Sequence, residues 1–390
     1  MSDPRPHLLY IASWYPHVSA PVQGIFIQRH AQTAALDYRV SVVFAYPDPN
    51  LTGNNIVTGV EQHGALTEIR VSYSPQTTSL PLLGKYRKSR RYVNAIRAGV
   101  AEAIMRNGTP ALLHLHVIWR GAVATLPLLR ELHVPLLISE HWSGYMPEDG
   151  NYSGLLMRTY TERIVKRAKH ITVVSEKMRQ AMQAHNLGGH YSLLHNVTDT
   201  ELFKPAPVLV HEEPFELLHV SSLTEREKNI SGMLRVMSML RDENIRLRII
   251  GEGAERAMHE TTAAGLGVLG ENVFFEGPKT PAEVAEAMQH SHTLLMFSHF
   301  EGMPCVIAEA QSCGLPVIAT HTGGIPQMVN QTQGILAQPG NEDELRRAVL
   351  ELKQHYHRYN RAAIREHAVA TYSTQAVRRE LHERYSKLLR

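Results

Sequence analysis

Short apolar runs alternate with amphipathic stretches along this chain. The runs HLLYIA, YRVSVVFAY, LTEIRVSY, ALLHLHV, PLLISEH, HITVVS and YSLLHNV are rich in Val, Ile and Leu, and several are continuous rather than alternating. Continuous runs suit strands buried on both faces of a parallel sheet. Residues 153–169 predict one helix, whose terminal Lys166, Arg167 and Lys169 suit the negative end of its dipole. The pattern then breaks: FKPAPVLVHEEPF, Phe203 to Phe215, holds three prolines and no period, and predicts a linker. Beyond it the strand-like runs resume as FELLHVSSL, IRLRIIGEG, VFFEG, HTLLMFSH, PVIATHTGG and GILAQPG, with helices expected near 229–241, 254–265, 281–289 and 305–313. Ile230, Met233, Leu234 and Met237 recur at helical spacing and define a core-facing stripe. Strand and helix in alternation point to an α/β fold. The expected division is a domain over 1–203, a linker over 204–214, a domain over 215–372, and a charged amphipathic terminal helix over 373–390.

Composition narrows the class. With 390 residues, 43% hydrophobic and 20% charged, the chain supports two ordinary domains and needs neither disulfides nor a structural metal to fold. Its two cysteines, Cys305 and Cys313, share one apolar stretch, so a reducing compartment is the default. The N-terminal MSDPRPHLLYIASWYP lacks a signal-peptide core, and no apolar run is long enough to span a bilayer; a cytoplasmic location is the simplest expectation. A net charge of +3 gives no ground for a nucleic-acid partner.

The most informative segment is SHFEGMPCVIAEAQSCGLPVIATHTGGIP, Ser298 to Pro326, in which seven residues separate Glu301 from Glu309. Proline favours the first turn of a helix, so a helix is expected to start near Met303 or Pro304. Glu301 then precedes the helix and Glu309 lies within it, between Ala308 and Ala310. Free N–H groups at a helix start make a diphosphate site. Carboxylates on either side of such a site suit hydroxyls, and a sugar nucleotide has that layout of hexose, diphosphate and ribose. A competing reading has Glu301 capping a turn and Glu309 paired with a buried Arg or Lys. Gly323 and Gly324 follow the next strand and permit a close backbone approach. His114 and His116 share one face of the strand ALLHLH, and His141 ends the next run. A metal site from these histidines is a rival reading that lacks a third partner at ligand spacing. The chain contains no Asp-x-Asp to hold a metal-bound diphosphate.

These segments resemble retaining glycosyltransferases of the GT-B fold, family 4, whose signature is E-x7-E. EGMPCVIAEAQSCGLPVIATHTGGIP matches that pattern nearly throughout, and the likeness extends over most of the chain. SWYPHVSAPVQGIFIQRHA resembles the family's glycine loop and following helix, with Gly24 as the close-approach glycine. HLHVIWRG resembles its H-x-H segment. HNVTDTELFKP resembles its linker, with Val197 where glycine is usual. YSTQAVRRELHERYSKLL resembles the helix that returns to the N-terminal domain.

The resemblance implies two Rossmann-like, doubly wound domains facing each other across a cleft. It implies a nucleotide-diphosphate sugar as donor, bound mainly by the C-terminal domain, and transfer with retention to an acceptor hydroxyl. Glu301 would bind donor-sugar hydroxyls, with the backbone near Met303, Pro304, Cys305 and Val306 helping to hold the donor; Glu309 would bind the ribose. Lys228 matches the lysine that neutralises the diphosphate, while Ser222 stands where the family has an arginine and Arg226 is a candidate substitute. Lys228 also lies just before a helix start, where a cation is unfavourable until an anion arrives; solvation, or neutralisation by Glu225 or Glu227, is the plainer alternative. The resemblance puts His116 in the cleft near the reacting phosphate, with His141 lining the same cleft, and no metal cofactor is expected. Leu80 to Arg97 holds six basic residues interleaved with apolar ones; in the family such a patch marks contact with anionic lipid or a lipid-linked acceptor, whereas a solvated helix face is the plainer reading. The acceptor is expected to be a carbohydrate or lipid-linked molecule. Rival functions are a catalytically inactive sugar-nucleotide binder and a phosphorylase or epimerase on the same fold. No G-x-G-x-x-G follows the first strand, which disfavours a nicotinamide dehydrogenase.

Overall fold

The computed structural model describes residues 3–75, 81–206 and 213–390. The middle of the expected linker, 207–212, and Leu80 at the head of the basic stretch lie outside the described residues. The chain divides into two compact units, one formed by Met1–Val197 with Val377–Arg390 and the other by Thr198–Ala376.

The first unit carries β1 (His7–Ala12), β2 (Arg39–Pro47), β3 (Ile56–His63), β4 (Leu66–Tyr73), β5 (Leu112–His116), β6 (Leu136–Glu140), β7 (His170–Val173) and β8 (Tyr191–Leu193). They form one sheet in the order β3-β4-β2-β1-β5-β6-β7-β8. Every pairing is parallel except β3 with β4. Strand β1 is the switch point: the chain builds outward from it on one side through β2, then crosses to its other side at β5. Its six residues are all buried, as a continuous apolar run requires. Strand β3 is not among the runs read from the sequence. It is a largely exposed edge strand that pairs only with β4 and carries Gly59, so it shows no apolar stripe.

The chain's last helix, Thr374–Leu388, gives Val377, Leu381 and Tyr385 to the first unit's core beside Tyr10, Tyr38 and Val40. Tyr385 Oη hydrogen-bonds Tyr10 Oη and lies 2.9 Å from His114 Nδ1. The helix expected over 153–169 is shorter, Leu155–Val165. Lys166 caps it, and by Lys169 the backbone N–H already donates to Leu136 O and enters the sheet.

The second unit carries β9 (Phe215–Val220), β10 (Ile245–Ile250), β11 (Val273–Gly277), β12 (Thr293–Met296), β13 (Val317–Thr320) and β14 (Gly334–Ala337), all parallel, in the order β11-β10-β9-β12-β13-β14. Here the order switches between β9 and β12. The two faces of this sheet bury separate cores. Leu217 of β9 packs with Ile230, Met233, Leu234 and Met237 on one side, and the next residue, Leu218, packs with Leu294, Met296 and Ile307 on the other. Burial on both faces explains why these strands read as unbroken apolar runs. Helix starts follow local chemistry. Pro281–Gln289 begins with a Thr280/Glu283 capping box and a proline in its first turn, and the Asn229 side chain accepts from Gly232 N–H to open Ile230–Met239.

Candidate active site

In an open α/β sheet, ligands settle outside the carboxyl ends of the strands where the order switches. Each unit has one such point, and the sequence-predicted residues gather at them.

In the second unit the point lies between the loops after β9 and β12. After β9 the chain makes a single helical turn, Glu225–Lys228, and Asn229 adopts a left-handed conformation (φ 51°) before the next helix begins. After β12 the loop carries Glu301. Backbone stitches the loops together, His299 N–H donating to Glu227 O at 2.8 Å. Lys228 Nζ lies 2.6 Å from Glu301 Oε1, which also accepts from Ser298 Oγ at 2.8 Å. The two side chains are only 13% and 9% exposed, so the pair is largely withdrawn from water. Lys228 therefore pairs with Glu301 and not with Glu225 or Glu227. Glu225 instead accepts from Ser231 N–H at the start of the following helix, a common use of a carboxylate at a helix N-terminus.

Gly323 fixes the other side of the Glu301 loop. Its φ is +56°, and an added Cβ would fall 1.8 Å from the Glu301 carbonyl oxygen. Gly324 N–H donates to Gly302 O at 2.7 Å. The close approach allowed by the glycine pair is thus to the glutamate loop itself.

The helix after that loop spans Cys305–Ser312, with Pro304 as its extended N-cap (φ −69°, ψ 119°) and no side chain capping it. It starts one to two residues later than expected, because Pro304 takes an extended ψ and stays outside the first turn. Met303 and Val306 pack against the core, and Glu309 is half-buried between the buried Ala308 and Ala310. Arg226 is exposed, with its guanidinium 5.5 Å from the ring centroid of Phe300, next to Glu301. A cavity of about 700 Å³ opens at the opposite, amino end of this sheet beside Phe215, His292 and Tyr356, and none of these predicted residues lines it.

In the first unit the corresponding point lies between the loops after β1 and β5. Gly24 caps the helix Ile25–Ala34 at φ 69°, and an added Cβ would sit 2.6 Å from the Trp14 carbonyl carbon and oxygen. His116 ends β5, fully buried. The backbone beyond it is strained: Val117 has φ 62° and Arg120 φ 63°, both rare for residues with side chains. The surroundings hold this turn in place. Ser13 Oγ lies 2.7 Å from Val117 O and 2.5 Å from Trp119 O, and Val117 N–H donates to Ser139 O. Glu140, fully buried at the end of β6, accepts from the N–H groups of Ile118, His141 and Trp142 and from Tyr145 Oη. Burial raises its pKa, against the pull of those four donors.

His114 is satisfied by Tyr385 Oη and by Ser139 Oγ at 2.7 Å. His116 and His141 stack near-parallel (16°, centroids 5.8 Å apart), and burial holds both well below the ordinary histidine range. Neither nitrogen of either ring has a hydrogen-bond partner. The third partner that spacing did not supply is His30, in the helix after the glycine loop, and one ligand atom from each of His30, His116 and His141 lies within 4.8 Å of the others. A signal for it existed: Ile27, His30, Ala31 and Ala34 form a helical stripe, all buried, so a histidine was due to face the core there.

Two family models match the chain: "Glycosyltransferase Family 4" over residues 30–202 and "Glycosyl transferases group 1" over 176–368. The chain belongs to the group 1 glycosyltransferases. An uncharacterized glycosyltransferase of Methanocaldococcus jannaschii is 24% identical over 282 residues, 70% of this transferase and 74% of the relative. The D-inositol 3-phosphate glycosyltransferase of Mycobacteroides abscessus is 25% identical over 277 residues, 66% of this transferase and 62% of its own length. Among solved structures, sucrose-phosphate synthase from Thermosynechococcus elongatus superposes with a TM-score of 0.80 at 20% identity, covering 98% of this chain and 99% of that one. Anabaena HepE in complex with UDP-glucose gives 0.70 at 17% identity, covering 98% and 100%. The transferase therefore has the GT-B fold, with two Rossmann-like units.

Proposed function

We propose that this glycosyltransferase takes a sugar from a nucleotide-diphosphate donor and passes it, with retention of configuration, to an acceptor hydroxyl. The observation that carries the reading is the Lys228–Glu301 pair, 2.6 Å apart at the switch point of the second unit. A buried ion pair contributes little net stability, and hydrophobic residues of the same volume often do better. Its presence at a strand-end crevice supports a ligand that uses both charges. The donor diphosphate competes for Lys228, and Glu301, released from it, accepts from the sugar hydroxyls. The backbone around Met303, Pro304, Cys305 and Val306 faces the phosphates, Glu309 takes the ribose, and Arg226 beside Phe300 adds positive charge to the same loop. Gly24, His116 and His141 are the residues that the first unit brings to the reaction.

In the reaction the bond from the anomeric carbon to the leaving phosphate oxygen breaks. A bond to the acceptor oxygen forms on the same face, and the acceptor's proton passes to the leaving phosphate. Lys228 stabilises the charge that builds on that phosphate, where a preorganised cation lowers the barrier most. No divalent ion is assigned to the diphosphate. Several relatives are polysaccharide enzymes by name, such as the putative colanic acid biosynthesis glycosyltransferase WcaL of Escherichia coli. Another relative, from Arabidopsis thaliana, is named as part of a phosphatidylinositol N-acetylglucosaminyltransferase. They support a carbohydrate or lipid-linked acceptor. Among the described residues no helix is long and apolar enough to cross a membrane. The helix Pro81–Asn107 exposes Tyr86, Arg87, Lys88 and Arg90 while burying Tyr92, Ala95 and Ile96, a division suited to peripheral contact with anionic lipid from a cytoplasmic location.

The donor reading is tested with UDP as probe and a thermal-shift screen of nucleotide sugars. Replacing Glu309 by Ala should weaken UDP binding about 10- to 100-fold, the loss of charged hydrogen bonds to the ribose. Unchanged affinity together with unchanged turnover would remove the ribose assignment.

A further inference from the structure

Five ring nitrogens in the first unit are buried without a hydrogen-bond partner in one place: His30 Nδ1, and both Nδ1 and Nε2 of His116 and of His141. Buried polar atoms are nearly always satisfied, and one left without a partner is destabilising. Such a concentration needs an occupant. The rings arrive from three separate elements: the helix Ile25–Ala34, the end of β5 and the residue after β6. One ligand atom from each of the three lies within 4.8 Å of the other two.

The chemistry of the set is specific. All three donors are imidazoles, with no carboxylate among them. Burial keeps the rings neutral, His30 at about 4, so each has a lone pair to give. His30 is also oriented in the way metal-bound histidines are. Its Nε2 lies 2.9 Å from the His195 carbonyl oxygen, which fixes the proton on Nε2 and leaves Nδ1 as the free donor. Nitrogen donors of this kind select zinc, cobalt, nickel or copper over magnesium or calcium. A second cluster, Glu61, His63 and Glu68, carries no such case. Its first two members are exposed, and Glu68 already accepts from Tyr15 Oη, Gln28 Nε2 and Arg70.

We propose that His30, His116 and His141 bind one divalent transition-metal ion of the zinc class, with one coordination position left for an outside ligand. Zinc–nitrogen bonds of about 2.0–2.1 Å place tetrahedral donors about 3.3 Å apart, so modest ring rotations complete the set. His141 is the half-buried member of the set, although both of its ring nitrogens are buried. The site goes beyond the donor reading and shares His116 and His141 with it, whereas Lys228, Glu301 and Glu309 lie in the second unit.

The test uses the full chain, stripped with EDTA, desalted, and titrated with Zn²⁺ by calorimetry and with Co²⁺ by visible absorption. The expected result is one tight equivalent and a Co²⁺ ligand-field spectrum of nitrogen-coordinated, four- or five-coordinate character. His141→Ala should weaken binding about tenfold or more and lose that spectrum. His30→Ala should do the same; if it fails to fold, His141→Ala alone decides, since His141 is the least buried residue of the three. UDP affinity of the metal-stripped wild type serves as the control for the second unit. Weak binding of several equivalents, equal in wild type and His141→Ala, would place the metal on scattered surface histidines and overturn the proposal. UDP binding lost in wild type would instead count against the donor reading.

Discussion

The two switch points have the same place in their sheets and opposite chemistry. At β9/β12 a cation and an anion are paired at 2.6 Å with a serine hydroxyl in support. At β1/β5 His116 and His141 are neutral imidazoles whose nitrogens go unanswered. A paired charge is already stable, so a ligand entering there must exchange partners, and only one bearing both an anion and hydroxyls can satisfy Lys228 and Glu301 together. An unanswered nitrogen asks for nothing more than an acid, a donor or an ion. The second unit is thus built to discriminate among ligands, and the first to hold something its own residues leave out.

Acid should separate the units most. A histidine depressed to about 4 binds fewer protons folded than unfolded, between that value and the ordinary 6.5. Its stabilisation is complete above 6.5 and is lost as pH falls through that window. At pH 5 each such group costs about 2 kcal/mol relative to neutral pH. The first unit holds His7 and His30 at about 4, and His114, His116 and His141 well below the ordinary value. In the second unit burial holds His219 at about 4. Hydrogen exchange of the EDTA-treated chain at pH 7 and pH 5 should show β1, β5 and β6 losing protection first. Equal loss in β9 and β12 would break the contrast.

The Lys228–Glu301 pair can be sharpened by double substitution. Lys228→Met should lower kcat/KM by about 10²- to 10³-fold, the size expected for one donor to a developing anion. It should also destabilise by about 3–5 kcal/mol, since Glu301 is left buried and unpaired. Adding Glu301→Gln should restore most of the stability and none of the turnover. A double variant with near wild-type turnover would make the pair a structural bond only.

The sequence carried unequal amounts of this picture. The second unit was legible nearly strand by strand, because burial on both faces writes each of its strands as an unbroken apolar run, and because Glu301, Glu309 and the glycines fall within one segment. The partner of Lys228 was not legible by composition, since Glu225 and Glu227 stand closer in sequence; only the pairing of β9 with β12 brings Glu301, 73 residues away, into contact. The first unit hid more. Its largely exposed edge strand β3 has no apolar stripe, and its histidines come from positions 30, 116 and 141, which no local spacing relates. Glu140 closes an apolar run and looks like a strand end, yet it clamps the strained turn after His116 by accepting from three backbone N–H groups.

The smallest effect should come from the two loop glycines, and it tests whether both switch points are equally rigid. Gly24 and Gly323 share a left-handed φ, 69° and 56°, so alanine costs each about 1–2 kcal/mol in backbone conformation alone. Their surroundings then separate them. A Cβ at Gly323 meets the Glu301 carbonyl oxygen at 1.8 Å, a contact that only movement of the Glu301 loop relieves. A Cβ at Gly24 meets Trp14 backbone at 2.6 Å, a lesser overlap in a loop where Val18 and Val22 are widely exposed and free of packing that would resist a shift. Gly323→Ala should therefore lower the denaturation midpoint more than Gly24→Ala, and should weaken UDP binding because Glu301 and the backbone behind it are displaced together. Gly24→Ala should weaken UDP binding less, since its contacts belong to the first unit. If Gly24→Ala proves the more damaging to nucleotide binding, the donor is held chiefly by the first unit, and the second unit's switch point is not the one that discriminates among ligands.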